Sequence, residues 1–477
     1  MNLIKRSIKD LSTYGAGLLL NKGFSFLSMI LLTHYLSIEE YGLVGIFILI
    51  NNYTRTMLSL EISQAACVFF TDEKDLDNKR TIFSSGFVFT CYMSLIGLSL
   101  LALLCFIFQA PQTSNTQLSL LTLILLASAL FFDSLSYYFM NIIRWLGQSK
   151  NYVSGAMLST FTLLSCIALF VIYLKLALLG VAISFLTSWI ASFLYFLPSI
   201  KPYLKLPACK QQIRKMLKFS IPLLLNNIPF YLNAGLDRYL LIAFFGLSFA
   251  GIYSAVFSVA SIMTLIPLVV QSAIWPLVYK AATNEKGSKE IATLFYLYIT
   301  VLSTVLVLFS LFSKTLLTSL LDQKYLYSKD IFLILPILSI NIVIESITTF
   351  FPGMAITKQN GYVVITSIIS LFVNLILSIV LIKPYGMLGV SIALLISSIF
   401  KIISYAYFSQ KLYPINFEAR RLLNMLMYFC LTIPIAIYMN LQIPSLGWQA
   451  LLERFGICIG LCCFLIPFID HKSFKKR

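Results

Sequence analysis

About fourteen stretches of twenty or more residues, almost free of charge, run through this 477-residue chain and decide what it can fold into. A helix that crosses the hydrocarbon layer needs about 20 mostly apolar residues. Measured against that length, spans are expected near 11–36, 42–68, 81–108, 117–143, 151–174 and 178–200. A second series follows near 219–245, 250–278, 291–321, 331–356, 362–382 and 387–410, and a last pair near 422–443 and 448–468. Only 11% of residues are charged, where a soluble globular chain carries about 25%. A polypeptide this long and this apolar cannot cover a water-facing surface with polar groups. A soluble enzyme, a disordered chain and a secreted disulfide scaffold are therefore excluded.

Cysteine and histidine add no chemistry of their own. The nine cysteines are an odd number, sit in apolar runs (Cys91, Cys105, Cys166) and show no zinc-ribbon spacing. Cys458, Cys462 and Cys463 read as small packing residues, and His34 and His471 are too few to build a metal site. No cofactor and no metal is expected. A cleaved signal peptide is not expected either, since Lys22 interrupts the first apolar run and no small-residue cleavage motif follows.

The net charge of +17 would suggest nucleic-acid binding on a soluble domain, but here topology accounts for it. Lys5, Arg6, Lys9, Lys74, Lys79, Arg80, Arg144, Lys150, the run from Lys201 to Lys218, Lys280, Lys286, Lys289, Lys358, Lys411, Arg420, Arg421 and the tail Lys472–Arg477 share one side. The opposite loops hold Lys175, Lys324, Lys329 and Lys383, with Lys314 close by. The positive-inside rule then makes both termini cytoplasmic and removes nucleic acid as a partner.

Internal similarity organises the spans. Gly42 and Gly251 open similar segments 209 positions apart; Asn151-Tyr152 faces Gly361-Tyr362 at an offset of 210; Leu179-Gly180-Val181 recurs as Leu388-Gly389-Val390 at 209. Each copy holds six spans, an even number, so both enter the membrane in the same direction and form parallel lobes. The expected fold is an all-α integral membrane protein of about 14 transmembrane helices. Two parallel six-helix lobes, 1–205 and 206–415, would surround a central cavity, and 416–477 would add a helix pair and a basic cytoplasmic tail. Transporters built this way hold substrate between the lobes.

Particular residues carry a family resemblance. Phe219-Ser220-Ile221-Pro222-Leu223-Leu224-Leu225-Asn226-Asn227, Leu236-Asp237-Arg238-Tyr239, Gly251-Ile252-Tyr253-Ser254 and the first-lobe text Tyr35-Leu36-Ser37-Ile38-Glu39-Glu40-Tyr41-Gly42 are its bearers. Over essentially its whole length the chain resembles the O-antigen and capsular polysaccharide flippases of the multidrug/oligosaccharidyl-lipid/polysaccharide (MOP) exporter superfamily. The resemblance implies a non-enzymatic transporter of the bacterial inner membrane. Its cargo would be an undecaprenyl-pyrophosphate-linked oligosaccharide, moved from the cytoplasmic to the periplasmic leaflet, with membrane lipids and a polysaccharide polymerase complex as partners.

Charges inside spans are costly and normally face a wet cavity or a partner. At 1.5 Å per helical residue, Lys22, Arg55 and Lys401 all fall about 21–24 Å from the outer turns. Three cations at one depth suit a pyrophosphate, because charge-assisted bonds to phosphate are strong where water is scarce. Asp133 and Glu345 lie at a similar depth, so Arg55 and Lys401 have the alternative role of neutralising buried carboxylates. Lys22 has no acid on its own helix between Asp10 and Glu39. The expected substrate-binding set is Lys22, Arg55, Lys401, Arg238 and Asn51. Asp133, Glu345 and Asp237 are candidates for charge pairing or for proton or sodium coupling. Two polar stripes, Asp133/Tyr137/Asn141/Arg144 and Asn341/Glu345/Thr349, fit a lumen or an interhelical contact equally. Two rival functions remain: a cation-coupled multidrug exporter, which would favour an acid rather than Lys22 on the first helix, and a membrane-embedded glycosyl- or acyltransferase. The second needs a catalytic loop; the one acidic loop, Asp72–Asp77, contains Lys74 and no motif.

Overall fold

A computed structural model of the chain describes residues 2–57, 59–107, 119–205, 208–268, 270–271, 278, 287–327, 330–357, 359 and 361–443, with 453–454, 456–457 and 460. Its secondary structure among these residues is helical throughout. The order is α1 Asn2–Tyr35, α2 Ile38–Met57, α3 Ile62–Asp72, α4 Leu76–Ile107, α5 Leu120–Trp145, α6 Ser149–Cys166, α7 Ala177–Ile200 and α8 Lys210–Phe245. It continues with α9 Leu247–Ala260, α10 Gly287–Leu311, α11 Ser313–Leu320, α12 Ile331–Ser346, α13 Gly353–Ile356, α14 Gly361–Leu412 and α15 Ala419–Gln442.

Among the described residues nine helices are long and apolar enough to span a bilayer, or ten if the bent pair α2–α3 makes one span. This is fewer than the expected fourteen. The spans expected at 11–36 and 219–245 fall in α1 and α8, outside the nine; Asn233, Asp237 and Arg238 lower the hydropathy of α8. One of the nine contains two expected spans. At about 1.5 Å per residue, the 52 residues of α14 would reach more than twice across a layer about 30 Å thick. Gly386, at φ 54°, breaks α14 between the stretches expected at 362–382 and 387–410. Most of 448–468, with Cys458, Cys462 and Cys463, lies outside the described residues, as do His471, the basic tail, Lys280, Lys286, Lys329 and Lys358.

Contacts divide the chain into two compact units, Met1–Gly235 and Leu236–Arg477, so the division falls within α8. In the first unit α7 packs along α5 and α6, α1 lies on α6, and α3 fits against α4 and α5. Its core is aromatic at one end: Phe83, Tyr138, Phe139 and Phe196 are buried together with Ile62, Ile200 and Met216. There the Tyr138 hydroxyl donates to the carbonyl of Phe83 at 2.8 Å, which satisfies a phenol that burial would otherwise leave unbonded. In the second unit α12 is central, packing on α9, α10 and α14, while α15 lies against α10.

The sequence repeat has a backbone counterpart. Helices α2 and α9 begin at Ile38 and Leu247, 209 positions apart. The turn into α7 passes through Ala177 at φ 45°, and the same offset leads to Gly386 at φ 54°. Three residues after each turn stands a glycine. A Cβ on Gly180 would collide with the carbonyl of Phe170, and one on Gly389 with that of Leu381. In both units the helical arm before the turn approaches the arm after it too closely for any side chain, which is why the same glycine recurs.

Candidate functional site

Among the described residues, the intramembrane charges singled out by depth and family pattern fall into three clusters, with Lys22 apart from them. In the first unit α2 and α5 bring Arg55 and Asp133 together, Nη1 to Oδ2 at 3.6 Å. Asp133 is 5% exposed, and Asn51, one helical turn before Arg55, gives it a side-chain hydrogen bond. Arg55 also donates to Asn52 at 3.1 Å and lies 4.5 Å over the ring of Tyr137, one turn beyond Asp133 on α5. The stripe read on the fourth expected span thus faces α2 and α3 inside the unit: Asn141, farther along it, donates to Ser63 at 3.3 Å.

In the second unit Lys401 Nζ on α14 donates to Glu345 Oε2 on α12 at 2.6 Å, and Ser398 donates to the other carboxylate oxygen at 3.0 Å. Asp237 and Arg238 are both buried. The Asp237 carboxylate accepts the backbone N–H of Arg238 at 2.8 Å, while the guanidinium donates to Ser254 at 3.1 Å and stacks 4.3 Å over Phe257. These contacts make Arg238 a packing cation of α8 against α9.

Lys22 differs from the others. Its side chain is exposed, and among the described residues it takes part in no ion pair. Its neighbour Asn21 fixes the helix by accepting a hydrogen bond from Thr160 on α6. At 3.6 residues per turn Lys22 points about 140–160° away from the exposed Leu20 and Leu27 and about 60° from the exposed Leu19.

One carboxylate escapes the depth argument. Glu61 is 4% exposed and sits at the break between α2 and α3, where it and Leu60 adopt the left-handed conformation, φ 54° and 48°. Two successive non-glycine residues in that region each cost on the order of 1 kcal/mol and need support from their surroundings. The support comes from α8. Asn227 donates to Glu61 at 3.1 Å, Tyr53 donates to the Tyr231 carbonyl at 2.6 Å, and Thr56 donates to the Tyr231 hydroxyl at 3.2 Å. Counting depth along 42–68 assumes an unbroken helix, so it singles out Arg55 and passes over Glu61. An acid in the middle of an expected span was the available signal.

Among the described residues no group of three or more His, Cys, Asp or Glu side chains could hold a metal ion.

Comparison with known proteins places this architecture. Capsular polysaccharide biosynthesis protein CapF of Staphylococcus aureus is 29% identical over 274 residues, 54% of this chain and 67% of that protein. The solved structure of lipid II flippase MurJ in an inward closed conformation superposes with a TM-score of 0.69 at 16% identity, over 97% of this chain and 99% of that one. An inward-facing multidrug resistance MATE family transporter of the MOP superfamily gives 0.68 at 13% identity, over 82% and 94%. The chain is thus a multi-pass integral membrane protein that shares its fold with these two solved structures. A profile of the family described as polysaccharide biosynthesis protein matches residues 7–281, more than half of the chain, which belongs to that family.

Proposed function

We propose that this protein carries an undecaprenyl-pyrophosphate-linked oligosaccharide from the cytoplasmic to the periplasmic leaflet of the bacterial inner membrane by alternating access. The family match and the relative named for capsular polysaccharide biosynthesis support a glycan cargo, and the fold shared with a lipid II flippase supports a lipid-linked one. The observation that carries the reading is Lys22: a cation within an expected span, exposed and, among the described residues, in no ion pair. A pyrophosphate is the group such a cation suits, since a charge-assisted bond gains most where water is scarce. Arg55 enters as a second, partly neutralised cation, held over Tyr137 with Asp133 behind it.

The shared fold with a MATE transporter keeps the multidrug exporter as the second reading. Deleting the gene separates them. The flippase reading expects a lipid-linked oligosaccharide to accumulate with its glycan inaccessible from the periplasm, and loss of the matching surface polysaccharide. Unchanged lipid-linked pools with increased drug sensitivity would favour the exporter.

A further inference from the structure

The start of α8 carries a surface that none of the charge pairs uses. Between Lys201 and Lys218 the chain holds six cations and no acid. Lys205 is engaged by Asp77 at 3.4 Å. Lys201, Lys210, Arg214, Lys215 and Lys218 are exposed and, among the described residues, in no ion pair. The opposite side of the same helix is fixed: Met216 is buried in the aromatic core of the first unit, and Ile213 and Leu217 pack against that core. Lys210, Arg214, Lys215 and Lys218 therefore stand on an anchored helix rather than on a loop.

Their register shows what they face. Arg214, Lys218, Ile221 and Leu225 follow one another at spacings of four, three and four, which places them on one side of a helix. All four are exposed, Leu225 to 58%. Lys215 and Phe219 form a neighbouring stripe with the same order, and Phe219 is exposed as well. Both stripes change from cationic to apolar at one level, between Lys218 and Phe219. A surface that switches this way within a single turn marks the passage from the headgroup layer to the acyl chains. Lysine and arginine stems of this length reach the phosphates beside them.

We propose that Arg214, Lys215 and Lys218 form a docking surface for anionic phospholipid headgroups, which seats the first turns of α8 in the bilayer interface. The apolar exposed residues directly below the cations favour a lipid phosphate over a soluble polyanion, which would gain nothing from Ile221 and Leu225. The helix seated in this way is the one that contains the division between the two units.

The test counts lipids bound to the purified full chain in neutral detergent by native mass spectrometry, with phosphatidylglycerol and phosphatidylcholine in competition. R214Q/K215Q/K218Q is expected to lower the preference for phosphatidylglycerol by at least about tenfold, because each cation near an anionic surface adds to the attraction. R214K/K215R/K218R should keep the preference, as should K74Q/K150Q/K289Q, which removes the same charge elsewhere. Should the triple glutamine variant fail to fold, the wild-type chain is measured between about 0.05 and about 0.5 M salt, where screening must reduce the preference. An unchanged preference in the glutamine variant, an equal loss in K74Q/K150Q/K289Q, salt-insensitive binding, or full displacement of the lipid by inorganic phosphate overturns the proposal.

Discussion

Lys22→Ala is expected to slow translocation of a lipid-linked glycan in reconstituted vesicles by about 10- to 100-fold while leaving the thermal midpoint of the purified chain unchanged. The size follows from a charged hydrogen bond being worth about 1.5–3 kcal/mol, lost where the carrier's pyrophosphate would be held. The absence of a stability effect follows from the structure. The ammonium is exposed and ion-paired to none of the described residues, so its removal leaves no buried carboxylate behind. Lys22→Arg should restore most of the rate, because it keeps the charge. A loss of rate accompanied by an equal fall in the midpoint would assign Lys22 to packing of α1 instead.

Arg55→Met should show the opposite balance. Asp133 is buried, and Arg55 is the cation 3.6 Å from its carboxylate. Removing one partner of a buried pair strands the other, which typically costs 3–5 kcal/mol. Because the Arg55 side chain keeps 29% exposure and the contact is long, about 2–3 kcal/mol is expected for unfolding in detergent. The double variant Arg55→Met/Asp133→Leu should recover most of that loss, since an apolar pair of similar volume leaves no stranded charge. If the double variant is as unstable as the single one, the cost comes from the Tyr137 and Asn52 contacts rather than from the ion pair.

The two substitutions together show which charges the chain's text could reveal. Arg55 with Asp133, and Lys401 with Glu345, are recognisable as pairs in prospect because each cation and acid fall at one depth on apolar helices. The pairing itself depends on how α2 faces α5 and how α12 faces α14, which no single helix records. Asp237 and Arg238 are adjacent in the chain, yet the guanidinium bonds Ser254, sixteen residues away, because adjacent helical side chains point about 100° apart. Glu61 was hidden for a different reason. Its position depends on two left-handed residues, Leu60 and Glu61, that nothing in the text Ser59-Leu60-Glu61 requires, and on Asn227 and Tyr231 from α8.

The backbone was more legible than the site. Gly180 and Gly389 repeat because a carbonyl lies where their Cβ would be, so a steric requirement of the fold is written directly as a residue type. The number of spans was less legible, since the length of an apolar run does not say whether a helix breaks. Gly386 divides α14, whereas the bend between α2 and α3 occurs without a glycine.

Transport is measured most directly as unidirectional flipping of an undecaprenyl-pyrophosphate-linked oligosaccharide in vesicles containing the purified chain. Exposure of the glycan is followed with a membrane-impermeant glycosidase. Protein-dependent exposure of the glycan is expected, slowing sharply in Lys22→Ala and retained in Lys22→Arg. Exposure no faster than in protein-free vesicles, or equal rates for all three chains, would contradict the flippase reading.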